Sequence, residues 1–121
     1  MPALTSRAVK RALVLVVGGL AVVAVACGVR TVHRSVTAAK VGTATGWKGG
    51  PVHVRKGDKA VLVVRNTTDK VHGFSIDAFR IKDTVKPGQR LLVKLTPTRT
   101  GHFPIYCQLH PAHLKTELNV T

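Results

Sequence analysis

The chain is predicted to fold as an antiparallel all-β sandwich or barrel of roughly six to eight short strands, preceded by one N-terminal hydrophobic helix. Three observations carry that prediction. Alternating or β-branched runs are separated by Gly-, Pro- and Asn-bearing turns about every ten residues. No stretch after residue 30 shows helical periodicity, apart from a turn over Pro111–Lys115. Ala12–Val29 is uncharged and rich in Val, Ala and Leu, and Arg7, Lys10 and Arg11 precede it.

Residues 1–29 therefore read as a signal peptide or membrane anchor. Val23-Ala24-Val25-Ala26-Cys27-Gly28 also has small residues ahead of a cysteine, as in a bacterial lipobox. A lipidated Cys27 and an uncleaved spanning helix both fit. Either one places the rest of the chain outside the cytoplasm, in the periplasm or at the cell surface. Residues 30–45 are small and polar and are expected to be a linker into a first, irregular strand.

The domain proper is expected over 46–121, roughly 75 residues and enough for one core. Pro51–Arg55 alternates, and Lys56-Gly57-Asp58-Lys59 turns the chain. Ala60–Val64 is a continuous β-branched run expected to be buried on both sides. Asn66-Thr67-Thr68-Asp69 turns again, and Val71–Ile76 carries His72, Phe74 and Ile76 on one face. Ile81–Val85, Leu91–Leu95, His102–Tyr106 and Glu117–Val120 complete the strands, with a Pro87-Gly88 turn of type II before Leu91.

Nineteen Lys+Arg against five Asp+Glu give a formal charge of +14, and residues 28–121 retain sixteen against five. The basic residues are dispersed and aromatics make up only 4%. An exported chain of that kind is not expected to bind nucleic acid. A protein partner with an acidic face, or the membrane surface, suits the charge better. A monomer is expected.

The chemistry concentrates near the C-terminus. Cys107, His110 and His113 follow one another at intervals of three, directly after the strand Gly101–Tyr106. Phe103, Ile105 and Cys107 share strand parity, so the sulfur points with the apolar side chains toward the core. With Cys27 inside the apolar segment, a disulfide to Cys107 is not expected, and a lone exported thiol beside two imidazoles suggests a metal ligand. A short loop, stiffened by Pro111, can bring all three donors to one ion. His72, distant in sequence but on a neighbouring strand, is the candidate fourth donor. Two nitrogens and one thiolate with a weak axial donor describe an electron-transfer copper site. His53 and His102 are expected at the surface, Trp47 and Tyr106 in packing, and Asn66 as a turn cap.

Pro51–Asp58, Asn66, His72-Gly73-Phe74, Lys86-Pro87-Gly88 and Gly101–Pro111 resemble the cupredoxins, in the right order over roughly Gly46 to Thr121. The His-Gly-Phe and His-Leu segments are also similar to the copper domains of nitrous-oxide reductase and cytochrome oxidase subunit II. Those hold a dinuclear centre on two loop cysteines, whereas this loop has only Cys107. The resemblance implies a Greek-key β-sandwich holding a single copper ion, Cu(I)/Cu(II), in a one-electron carrier that is not an enzyme. The last loop ligand of the family is usually Met, and His113 stands at that position. A fourth strong donor would favour Cu(II) and lower the potential; His113 as an exposed neighbour of a weak or open axial position is the other reading. Three rival functions remain at this stage: a chaperone or store that delivers copper to an oxidase, a small enzyme or sensor with an open copper position, and a metal-free interaction domain.

Overall fold

The computed structural model describes residues 28–121. The expected N-terminal segment, residues 1–29, lies outside that range except for Gly28 and Val29. Among the described residues no helix is long and apolar enough to cross a membrane.

Nine strands follow in order: β1 (Thr31–Val41), β2 (Ala44–Lys48), β3 (Val52–Val54), β4 (Lys59–Asn66), β5 (His72–Ile76), β6 (Ile81–Val85), β7 (Arg90–Leu95), β8 (Gly101–Ile105) and β9 (Thr116–Val120). One 3₁₀ turn, Asp77–Phe79, joins β5 to β6. The strands form a four-stranded sheet, β2-β1-β4-β7, a three-stranded sheet, β3-β9-β8, and the β5-β6 pair. A two-way bridge between Ser75 and Tyr106, with N–H···O distances of 2.9 and 3.1 Å, continues β8 into β5. The fold is thus the all-β sandwich that the alternation predicts.

Three expectations need correction. The linker expected over 30–45 is instead the longest strand, β1, followed by the start of β2. Its small residues are part of the packing: Ala38 lies in register with Trp47, so a minimal side chain sits beside the one indole on the inner face. Arg30 fixes the start of β1, with Nη2 and Nε at 2.8 and 3.2 Å from the two carboxylate oxygens of Asp58. The hydrogen bond and the positive charge hold that carboxyl below its ordinary range. Second, the sandwich is not purely antiparallel, because β1 pairs with β4 and β3 with β9 in parallel. The chain leaves one sheet for the other between β1 and β4, and side-chain alternation carries no information on strand direction. Third, β4 is buried on one face only: Ala60, Leu62 and Val64 point inward, while Val61 and Val63 are half-buried on the outer face.

The core between the sheets is built from Val36, Leu62, Phe74, Ile76, Ile105 and Leu118 together with smaller Val and Ala side chains, all within Val32–Val120. Full burial of one such Leu, Ile or Phe contributes about 1.5–3 kcal/mol relative to exposure. All of the described strands and their core cluster thus lie within Thr31–Val120.

Candidate metal centre

The centre sits at one end of the sandwich. Along β8 the inward parity runs through Ile105 to Cys107, and both are buried. Beyond Cys107 the chain makes two successive tight turns, with His110 N–H donating to the Cys107 carbonyl at 3.3 Å and His113 N–H to the His110 carbonyl at 3.0 Å. The intervals of three in the sequence are therefore two consecutive turns that bring each donor back toward the sulfur. The loop then lands on β2, where Leu114 N–H bonds to the Thr45 carbonyl at 2.9 Å and Trp47 N–H to the Leu114 carbonyl at 3.1 Å. Gly46 permits that approach, since a Cβ there would overlap the Leu114 backbone.

β5 supplies the fourth side chain. His72 is 1% exposed, and its ring meets the Trp47 indole edge-on with centroids 6.2 Å apart. His72, Cys107 and His113 each present a donor atom, and these three atoms lie within 4.8 Å of one another. His110 is exposed at the rim, with Nδ1 3.6 Å from the sulfur. Its ring stacks on His113 at 4.4 Å with an interplanar angle of 23°. The structure therefore brings His72, Cys107 and His113 together, leaves His110 beside the sulfur at the rim, and places His113 nearer the centre than a merely exposed neighbour. Among the described residues, Cys107 is a free thiol.

The surroundings suit a cation. Nδ1 of His72 and Nδ1 of His113 are buried without a hydrogen-bond partner. Leaving such a group unsatisfied costs about 1–3 kcal/mol, and a bound ion removes that cost. Burial pushes the His72 imidazole below its ordinary pKa of 6.5, and the neighbouring His113 and His110 push it further. Burial lowers His113 as well, followed by His110. Both shifts favour the neutral ring, the form that ligates metal. Neutral imidazoles beside a thiolate are the donors copper prefers, and hard, oxygen-seeking ions do not suit them. These residues fit one copper ion.

One hydrogen bond reaches the sulfur from β5 and two more fix the residue beside it, through Gly73 and Gln108, to which the sequence assigned no role of their own. Gly73 N–H donates to Cys107 Sγ at 3.1 Å. Gln108 clamps the ligand strand to the β5-β6 pair: its Oε1 accepts from Ser75 Oγ–H at 2.7 Å, and its Nε2–H donates to the Asp83 carbonyl at 3.0 Å. The Gln108 amide fills the space in front of Gly73, where a Cβ would overlap it. A Gly directly after a candidate ligand and a Gln directly after the thiol were the available signals. Asn66, buried, bonds through Nδ2 to the Lys70 and Val85 carbonyls at 2.7 and 2.9 Å, and accepts from Thr68 N–H at 2.9 Å. It caps the turn between β4 and β5, as expected, and steadies the entry to His72.

Trp47, His53 and His102 take the roles expected of them, whereas Tyr106, expected in packing, is half-buried with its hydroxyl engaged at the surface. Trp47 is buried against Phe74, with centroids 5.2 Å apart. Tyr106 O–H donates to Asp77 at 2.6 Å, and that bond raises the phenol's pKa. His53 is exposed, and His102 faces outward with Nδ1 2.8 Å from Asn119 Oδ1. A hollow of about 320 Å³ opens over the rim, with Lys40, Thr45, Thr68, Asp69 and Lys70 beside the three imidazoles.

Comparison with known proteins agrees with this geometry. The metal-binding domain of the Cu(I)-exporting P-type ATPase CopA of Streptococcus pneumoniae D39, in a structure with Cu(I), superposes with a TM-score of 0.62 at 15% identity, covering 78% of this chain and 88% of that one. Auracyanin from Roseiflexus castenholzii gives 0.60 at 15% identity, with 76% and 98% covered. Copper nitrite reductase from Nitrosomonas europaea gives 0.62 at 20% identity, and the match covers 75% of this chain but only 41% of that one. At such identities these structures show a shared fold. A search of curated protein sequences finds no significant match. The sequence model of the family described as Cupredoxin-like domain matches residues 20–120, nearly the whole chain. With the fold, the donor set and that match in agreement, this chain belongs to the cupredoxin-like domain family.

Proposed function

We propose that this protein is a one-electron carrier that works outside the cytoplasm, held at a membrane by its N-terminal segment, with a single copper ion bound by His72, Cys107, His110 and His113. One observation carries the reading: the imidazoles of His72 and His113 converge on a buried thiol, and one nitrogen of each ring is buried with no other partner. Copper so held supplies a Cu(I)/Cu(II) couple, and the protein's own residues do the rest. The buried ends of β5 and β8 keep water from the sulfur. Gly73 N–H spreads part of the thiolate charge, and Gln108 holds the two strands at fixed spacing. A preset frame keeps rearrangement small when charge changes, which is what a fast carrier requires. No step on a bound substrate is needed, so the protein is read as a carrier and not an enzyme.

His110 is exposed at the rim, Val71, Leu109 and Leu114, each next in sequence to one of the three histidines, are exposed as well, and Lys40 and Lys70 line the hollow. An acidic face on a redox partner fits there. The protein acts as a monomer and does not engage nucleic acid. The rim position of His110 and His113 also favours a second reading, delivery of copper to an acceptor, because an incoming protein's donors could reach the ion from that side.

The deciding experiment is Cu(II) loading of residues 28–121, with a visible spectrum and voltammetry. The carrier reading expects intense thiolate-to-copper absorption, its loss in Cys107→Ser, and a reversible one-electron wave. Intense absorption with an irreversible wave and tight Cu(I) binding would move the assignment to delivery. No thiolate absorption would end both.

A further inference from the structure

We propose that the outer face of the β2-β1-β4-β7 sheet is a docking surface for anionic lipid headgroups. It does not depend on the metal centre.

The strand register determines which residues share this face. Lys48, Thr37, Arg65 and Arg90 lie in one row across the four strands. Lys94 lies in register with Val61, and Lys59 with Thr31. Five cations thus project from one face, all exposed, and none of them makes a side-chain hydrogen bond or an ion pair with another described residue. None of the chain's five carboxylates stands on these four strands, since Asp58, Asp69, Asp77, Asp83 and Glu117 all lie elsewhere. Neighbouring strands are about 4.8 Å apart and a strand rises about 3.3 Å per residue. Lys48, Arg65 and Arg90 therefore form one row, and Lys59 and Lys94 form a second pair about 13–20 Å along the strands, each group spaced by about one Debye length.

Between the cations the face is apolar. Val61 and Val63 are half-buried and Leu92 is 50% exposed, an outward-facing group with no covering layer among the described residues. A hollow of about 440 Å³, with Thr31, Lys59, Lys94 and Thr96 on its wall, opens at one end of the face. That combination suits a bilayer surface: ammonium and guanidinium groups meet phosphates while short apolar side chains reach the headgroup boundary.

Chain connectivity favours lipid over an acidic protein. The uncharged segment Ala12–Val29 is separated from β1 by Arg30 alone, and Thr31, the first residue of β1, points outward beside Lys59. A segment that enters or is anchored in a membrane therefore delivers the chain directly to the edge of this face. β1 and β4 run parallel, and the far ends of both reach the metal rim through Lys40 and Thr68–Lys70. Contact at the sheet face leaves that rim open to other proteins.

The test uses residues 28–121, which hold the nine described strands and their core cluster, so that the N-terminal segment itself contributes nothing. Co-sedimentation is measured with vesicles of phosphatidylcholine alone and of an equal mixture with phosphatidylglycerol. Binding is expected to the mixed vesicles only and to weaken with salt. Each cation near such a surface contributes roughly a five-fold gain in binding. The triple variant Arg65→Gln, Arg90→Gln, Lys94→Gln should therefore lose about a hundred-fold, and the equally charged variant Lys56→Gln, Lys82→Gln, Lys86→Gln less than ten-fold. Equal losses in the two variants overturn the proposal, because net charge alone then accounts for binding. Absent vesicle binding overturns it too, and does so in favour of an acidic protein if poly-glutamate binds the same domain. A measurement that needs no variant is the shift of amide resonances on adding anionic vesicles. Shifts confined to β1, β4 and β7 support the face, and shifts centred on β8 and β9 refute it.

Discussion

The sharpest structural prediction concerns Gly73 and Gln108, which share one space behind the sulfur. Gln108→Ala removes two hydrogen bonds and leaves the hydroxyl of Ser75, a buried residue, without its acceptor. At about 1 kcal/mol per bond plus the unpaired hydroxyl, the expected loss is ~2 kcal/mol. Gly73→Ala places a methyl group against a pinned amide, and overpacking of that kind costs about 1–3 kcal/mol. The three atoms nearest the new Cβ all belong to Gln108. Removing Gln108 should therefore make Gly73→Ala nearly neutral, or stabilising by a few tenths of a kcal/mol through the entropy of the unfolded chain. Urea unfolding of the four copper-free proteins measures this as a double-mutant cycle. The double variant is expected to be ~2 kcal/mol more stable than the sum of the single losses implies. Additivity to within about 0.5 kcal/mol would refute the shared-space argument.

Three other predictions follow from the same structure. His113→Met replaces a strong donor with a weak one, so the reduction potential measured by voltammetry should rise by about 60 mV for each ten-fold loss in preference for Cu(II); an unchanged potential would show that His113 does not ligate. The neutral rings of His72 and His113 are favoured in the folded protein, mainly by burial, with folded pKa values below the ordinary 6.5. The unfolded chain takes up those protons first, so copper-free stability should be intact above about pH 6.5 and fall progressively below it, and His72→Gln should flatten the slope of the urea midpoint against pH. Deleting residues 28–41 removes β1, the strand between β2 and β4, and should abolish cooperative unfolding in circular dichroism, where a dispensable linker would leave the transition unchanged.

How much of this was legible in the sequence differs from residue to residue. Cys107 could be placed because strand parity links it to Ile105, and the turn at Lys86–Gln89 closes as its Pro-Gly pair requires, with Gln89 N–H bonded to the Lys86 carbonyl at 3.0 Å. The convergence of His110 and His113 followed from their spacing. β1 was not legible because its inward positions include Arg34 and Ala38, and the buried Ala39 falls at the opposite parity, so the apolar alternation that marks β4 is nearly erased. The parallel pairs were hidden because a two-residue period reads the same in either direction. Gln108 escaped notice because its partners, Ser75 Oγ and the Asp83 carbonyl, come from strands more than twenty residues away.

The account rests on a bond between copper and the sulfur of Cys107, and X-ray absorption at the copper edge of the loaded protein reads that bond directly. A single sulfur scatterer at about 2.1–2.3 Å with two or three nitrogens at about 2.0 Å is the predicted first shell, the sulfur disappearing in Cys107→Ser. A shell of nitrogen and oxygen alone in the unaltered protein would contradict the assignment of this centre.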